Sequence, residues 1–583
     1  MVTRRFYFLI SLITLLGMGQ GHLKASNNEE TITLKFVETS DVHGCYFPYD
    51  FIQNKQMRGS LARVSSYVKE EREVYGDNLI LMDNGDILQG QPVAYYYNYM
   101  DTTSVHVCAA MLNYMRYDVG NMGNHDVETG HAVYDRWVGQ CDFPILGANI
   151  VDVKTGKPYL KPYEVLERNG VKVVVLGMIT PAVPSWLPEQ LWAGLRFEDM
   201  EACAAKWVKE IREKEQPDIL IGLFHSGMDG KKLDNVVENG SKGVAANVPG
   251  FVIFMGHDHT RWNERVTNTS GDSVLVIDPA NTAKVVSEVT VTVKKQNGKI
   301  VSKQVDGKLV SMDDYAVDKD FMHTFQKQYE ATQAFVSRKI GRMERTISSK
   351  DAFFGPSAFI DLVHQLQLDI TGADISFCAP LSAYAEIKEG DIRMSDMFNL
   401  YKFENMLYTM VLTGKEVKDF LEMSYDLWVD QMTSPDDHLL LLNEKDNGFG
   451  RFRNPSFNFD SAAGIIYTVD VTKPYGKRIT IERMADGKPF EMDKQYRVAV
   501  NSYRGNGGGD LLTKGAGIPK AELAKRIVFS TDKDLRYYLM KRIEEVKVLN
   551  PAPLNQWKFI PEEWTVPAAK RDYELLFGNK DNE

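Results

Sequence analysis

The chain has 583 residues, 44% of them apolar and 25% charged, and 68 Lys and Arg against 79 Asp and Glu leave a net charge of −11. That length predicts at least two domains at roughly 100–200 residues each, and the composition is that of an ordinary globular protein. The acidic balance argues against polymeric nucleic acid as a partner, because that affinity comes mainly from Lys and Arg on phosphates; small anionic ligands stay open wherever a bound metal dominates the local charge.

At the start, Arg4 and Arg5 precede an apolar run over 6–18, interrupted by Ser11, Thr14 and Gly17. A membrane span needs about 20 apolar residues, so the run predicts a cleaved secretory signal at 1–25 rather than an anchor. Gly17, Gly19 and Ala25 supply small residues for cleavage. The expectation is a periplasmic or secreted protein with no stable membrane span after cleavage. The five cysteines form no CxxC pair and no metal-ligand spacing, and they admit at most one bridge whose partners the sequence does not name.

From 30 to 315, apolar β-branched runs (32–37, 79–82, 171–176, 219–224, 251–255, 274–277, 285–293) alternate with helical patterns such as 61–74 and 200–215. This alternation predicts an α/β layered domain. The stretch 318–345 is polar, with Phe321, Phe325, Tyr329 and Phe335 at helical spacing and no Gly or Pro before Gly341. It reads as one linker helix with a hinge near Gly341. An α+β substrate-binding domain follows over 350–555, with helices near 358–368 and 415–425 and strands near 408–412, 465–471 and 496–500. Residues 556–583 read as a surface tail or a wrap-around arm.

Five short motifs occur in order behind the apolar strands of the first domain: Asp41-Val42-His43, Gly85-Asp86, Gly123-Asn124-His125-Asp126, His225, and Gly256-His257-Asp258-His259. Ligands of α/β sheets gather at the carboxyl ends of strands, so these loops can converge on one crevice. Asp carboxylates, His imidazoles and an Asn carbonyl are the mixed oxygen and nitrogen donors that two divalent ions such as Mn, Zn, Fe or Co accept. Asp41, His43 and His259 form one site; Asn124, His225 and His257 form the other; Asp86 bridges them. The glycines before Asp86, Asn124 and His257 allow tight loops. His125, beside the metals but not needed as a ligand, is the candidate acid or hydrogen-bond donor to a phosphoryl oxygen, oriented by a hydrogen bond to Asp126. Each motif alone is weak, but five of the eleven histidines fall in this set.

The ordered set resembles the calcineurin-like metallophosphoesterases. Its continuation resembles the bacterial 5′-nucleotidase and 2′,3′-cyclic-nucleotide 2′-phosphodiesterase/3′-nucleotidase family over nearly the whole mature chain. The resemblance implies a four-layer α/β/β/α catalytic domain and hydrolysis of small-molecule nucleotides at two metals by an exported enzyme. In the second domain, the Gly-rich run from Asn501 through Tyr503 to Asp510 follows a strand and resembles the family's base-binding segment. With Phe457 it offers two aromatic plates that sandwich a base, and Asn501 joins them as a substrate contact.

After Ala373-Asp374-Ile375, the 5′-nucleotidase pattern carries a phosphate-gripping Arg motif. Here Cys378-Ala379-Pro380-Leu381-Ser382 follows, with no Arg. That departure, and the segments Asp86-Ile87-Leu88-Gln89-Gly90 and Asp470-Val471-Thr472-Lys473-Pro474, resemble the cyclic phosphodiesterase branch. A 5′-nucleotidase or UDP-sugar hydrolase is the alternative within the family. A catalytically inactive secreted binding protein is the alternative outside it, and it expects missing ligands where none of the seven metal positions is replaced.

Overall fold

The first strand, Glu29–Thr39, runs from an exposed start into the centre of the molecule, where it is buried on both faces. The computed structural model describes residues 29–233, 236–445 and 451–578, so the signal expected at 1–25 lies outside the described residues. Glu29–Thr39 pairs parallel with Leu79–Asp83 and antiparallel with Val285–Gln296. With Val119–Asn121, Ile145–Leu146 and Lys299–Ser311 it forms a six-stranded sheet. A second six-stranded sheet is built on Val171–Ile179, Ile219–His225, Phe251–Met255 and Ser273–Pro279, parallel throughout, with Tyr163–Arg168 and Arg261–Thr267 at its edges.

The sheets face each other. Leu34, Phe36 and Ile80 from the first and Val173, Val175, Ile221 and Phe254 from the second belong to one buried cluster. Helix Leu61–Tyr75 covers the outer face of the first sheet with Leu61, Val64 and Val68, and helix Met200–Lys214 covers the second with Trp207, Val208 and Ile211. The result is the expected α/β/β/α layering. Central strands covered on both faces must be apolar on both, which is why they read as unbroken runs. Because these strands run parallel, their carboxyl ends open on one side of the molecule, where the five motifs lie.

The second unit is α+β, as expected. Its five-stranded sheet runs Ser461–Ala463, Ile375–Cys378, Gln495–Asn501, Met406–Thr413, Ile527–Asp534. Helix Gly414–Trp428 starts on a capping box of Thr413 and Glu416 and packs Phe420 face to face on Phe377, ring centroids 4.0 Å apart.

Two expectations change. The single linker helix over 318–345 is instead two helices, Lys319–Thr324 and Gln326–Ser337, followed by a strand, Lys339–Met343. Phe325 leaves helical geometry while its ring packs on Phe321 and Tyr114. Past Arg338 the chain is extended and pairs with Gly390–Arg393 and Val548–Leu549, so Gly341 lies within a strand and not at a helix end. There a Cβ would come 2.7 Å from the Ile543 side chain, which makes glycine a packing requirement. Of the two readings of the C-terminal segment, its described part packs as a wrap-around arm and not as a surface tail. Trp557–Ile560 adds to the strand Ile465–Asp470, and helix Glu562–Phe577 sends the buried Asp572 carboxylate to the N–H groups of Leu439 and Leu440. All five cysteines are free. No helix among the described residues is long and apolar enough to cross a membrane.

Candidate metal centre and substrate pocket

The loops after five parallel strands bring all seven proposed ligands together. Asp41 and His43 follow Glu29–Thr39, Asp86 follows Leu79–Asp83, and Asn124 follows Val119–Asn121. His225 ends its own strand, and His257 and His259 follow Phe251–Met255. Asp41, His43, Asp86, His257 and His259 all adopt positive φ, between 49° and 81°. Such backbone costs about 1–3 kcal/mol per residue and persists only where the surroundings impose it, typically at functional sites. Two glycines make room for the carboxylates: a Cβ on Gly123 would lie 2.2 Å from Asp86 Oδ1, and one on Gly256 would lie 2.7 Å from Asp41 Oδ2.

Two groups of donors result, Asp41 with His43 and His259, and Asp86 with His225 and His257. In the first, His259 Nε2 lies 3.2 Å and His43 Nε2 3.9 Å from Asp41 Oδ1, and the two ring nitrogens are 2.9 Å apart. Gln89 Oε1, 3.1 Å from His43 Nδ1, accepts from that nitrogen and turns the Nε2 lone pair inward. Asp41 Oδ1 is buried with no hydrogen-bond partner, while Oδ2 accepts from Ser40 Oγ and the His257 N–H. In the second group, His225 Nδ1 donates to the Asn84 carbonyl at 2.7 Å. Its Nε2 then faces two further acceptors, Asp86 Oδ2 and Asn124 Oδ1, each at 3.1 Å. His257 Nδ1 is 2.8 Å from the same Asn124 oxygen, and its Nε2 is 3.3 Å from Glu238 Oε1. Carboxylate, amide and imidazole donor atoms converging in a buried space suit a positive centre, so the residues fit divalent cations in both groups.

The electrostatics report the same crowding. Burial disfavours the charged form of His225, but Asp86 and Asp41 outweigh it and push its pKa up to about 10. His43 is lowered to about 4 by burial and by His259. Burial works against Asp41, yet His225 and His259 hold its carboxyl below the usual range.

His125 sits on the short helix Asn124–Glu128 with its ring 5.5 Å from that of His43. Here one expectation is corrected. Asp126 does not touch the imidazole; its carboxylate accepts the backbone N–H groups of Asp86, Ile87, Leu88 and Gly123, and so shapes the loop that carries Asp86. Residues one apart point away from each other on a helix, whereas residues three apart share a face. Glu128, three residues on, therefore holds His125 Nδ1 at 2.5 Å. Burial opposes the charge on His125, but Asp86 and Glu128 raise its pKa to about 9. Glu128 was legible in the sequence from that spacing.

Beside the metal groups lies a cavity of about 330 Å³ between the two units. Asn124, His125, Glu128, Trp186 and His257 line one wall; Phe403, Asn405, Phe457, Asn501 and Tyr503 line the other. The three substrate-binding residues expected from the sequence therefore share one pocket with the candidate centre. The parallel aromatic sandwich is not formed: Phe457 and Tyr503 stand edge to face at 87°, centroids 6.2 Å apart, and Phe403 is likewise edge-on to Phe457. The glycine run serves the aromatic plate itself, since a Cβ on Gly508 would lie 2.5 Å from the Tyr503 ring. Asn501 caps the turn Ser502–Gly505 by accepting the Arg504 N–H. Arg504 is buried, bound to Asp460, the Phe457 carbonyl and Asn458, so it braces both aromatic loops and offers no free charge to the pocket. Sequence reasoning missed Trp186, Lys231, Glu238, Phe403 and Asn405, because no motif marks them and only the fold brings them to the cavity.

The layered fold, the two donor groups and the histidine between them define a metal-dependent phosphoester hydrolase. Residues 34–261 match the calcineurin-like phosphoesterase family model, and residues 336–514 match the 5′-nucleotidase C-terminal domain. The chain therefore carries both domains, in that order. It is 27% identical to the trifunctional nucleotide phosphoesterase YfkN of Bacillus subtilis, over 91% of this chain but 39% of that protein. It is 26% identical to the 2′,3′-cyclic-nucleotide 2′-phosphodiesterase/3′-nucleotidase of Salmonella typhimurium, over 92% of this chain and 90% of that one. The crystal structure of a 5′-nucleotidase precursor from Thermus thermophilus superposes with a TM-score of 0.61 at 21% identity, covering 91% of this chain and all of the other.

Proposed function

We propose that this chain is an exported hydrolase of small nucleotides, acting as a 2′,3′-cyclic-nucleotide 2′-phosphodiesterase and 3′-nucleotidase. The observation that carries the reading is the shared pocket: His125 with Asn124 and His257 of the second donor group on one wall, and Phe457 and Tyr503 on the other. Asp41, His43 and His259 would hold one divalent ion, and Asn124, His225 and His257 the other, with Asp86 lying in the second donor group as the carboxylate placed to serve both. Mn, Zn, Fe and Co all suit these donors. When bound, such cations would supply Lewis-acid polarisation of the phosphoryl group and a lowered pKa for the attacking water. His125, steadied by Glu128, donates a proton to a phosphoryl oxygen or to the departing sugar oxygen. Phe457 and Tyr503 bind the base by aromatic contact, which accepts any base and reads its edge weakly. The basic and apolar leader over 1–25 supports export to the periplasm or medium.

Choice among esters follows from charge. The second-domain wall of the pocket, Leu381, Phe403, Asn405, Phe457, Asn501 and Tyr503, is neutral. A cyclic phosphate diester carries one negative charge and needs less cationic grip than a 5′-monoester dianion. The expected result is that kcat/KM for 2′,3′-cAMP exceeds that for 5′-AMP by at least about tenfold, the factor set by one missing charge-assisted contact. For 3′-AMP, a dianion like 5′-AMP, the expected preference comes from the resemblance to the cyclic phosphodiesterase branch and not from charge. All activity should vanish on chelation and return with added metal. A preference for 5′-AMP or a UDP-sugar would move the chain to the 5′-nucleotidase branch with the metal chemistry intact.

A further inference from the structure

Lys231 is the one residue with a permanent positive charge among those lining the pocket, and no sequence motif marks it. Its backbone is fixed where a short hairpin starts: the Lys231 N–H donates to Asp229, and its carbonyl accepts the N–H of Glu238. Asp229 in turn is held by Asn239 Nδ2 at 2.7 Å. The Lys231 side chain is 57% exposed, and its Nζ lies 2.8 Å from Glu238 Oε2. The other oxygen of that buried carboxylate faces His257, so the ammonium stands one carboxylate away from the candidate metal centre. Arg504, the buried cation behind the aromatic wall of the second unit, is saturated by Asp460, Asn458 and the Phe457 carbonyl.

We infer that Lys231 grips the phosphoryl group of the substrate, filling from the catalytic domain the role left open by the missing arginine of the second domain. The inference rests on the phosphoester reading of this pocket. A lysine suits the task differently from an arginine: it is a compact point charge on a flexible stem, without the rigid fork that favours a dianionic monoester. Glu238 holds the ammonium at the rim until an anion competes for it, and neutralising that carboxylate is the rival, purely structural role for Lys231.

The test is calorimetric titration of inorganic phosphate into the Mn-loaded full chain, which needs no turnover and so is independent of the nucleotide assignment. Lys231→Gln should weaken phosphate binding by about tenfold or more with metal content unchanged, the scale of one lost hydrogen bond to a charged group. Lys231→Arg should keep most of the affinity. Lys402 lines the adjoining cavity with His43, His125 and His259 and is the rival cation for the phosphoryl group; if Lys231 carries the grip, Lys402→Gln should leave phosphate binding unaltered. Unchanged affinity in Lys231→Gln, a loss that appears in Lys402→Gln instead, loss of metal from Lys231→Gln, or no phosphate binding by the wild-type chain would each overturn the inference.

Discussion

Replacing His125 with Ala is expected to lower kcat by about 10²–10⁴-fold, the range for a positioned acid, while both metals stay bound. The imidazole is not in either donor group, so its loss leaves the ligands in place. Its ring is aimed by Glu128 from the next turn of the same short helix and faces the first group across 5.5 Å. Glu128→Gln should therefore act in the same direction but more weakly, because it loosens the ring without removing it. Steady-state rates on 2′,3′-cAMP, paired with metal analysis of each variant, separate the two roles. Full turnover in His125→Ala would falsify the assignment, and loss of metal would make it a ligand.

Arg504→Met should destabilise the second unit by about 3–5 kcal/mol, because it strands the buried Asp460 carboxylate. Both partners are almost wholly inaccessible, and the pair is 2.6 Å long. The guanidinium also holds the Phe457 carbonyl and, through Asn458, the loop on which Phe457 stands. The same change should raise KM for nucleotides more than it lowers kcat on a small activated diester, since the aromatic wall moves and the metal groups do not. Denaturant unfolding followed by fluorescence measures the first effect. If the cost is the stranded charge, replacing Asp460 with Leu in the same chain should recover part of it; no recovery would place the effect in lost packing.

The contrast between Asp126 and Glu128 shows where sequence reasoning stops. Both lie within three residues of His125, and the shorter separation looks like the closer contact. Helix geometry reverses that order, sending Asp126 back into the Asp86 loop and Glu128 up to the imidazole. Likewise, the apolar spacing over 318–345 is helical only to Ser337, because pairing with Gly390–Arg393 and Val548–Leu549 satisfies the backbone beyond it. Local pattern yields to tertiary hydrogen bonding where a sheet offers an edge.

By itself the sequence determined the layered α/β architecture and the seven converging donors. Buried parallel strands must be apolar throughout, and metals demand particular side chains placed directly after those strands, so both leave marks that local reading can find. Only the tertiary structure decided the pocket's other residues. Trp186, Lys231, Glu238, Phe403 and Asn405 come from loops far apart in the chain, and their types are common on any surface. They acquire meaning only when the two units close around one cavity, because a contact between distant segments depends on packing that no local pattern encodes.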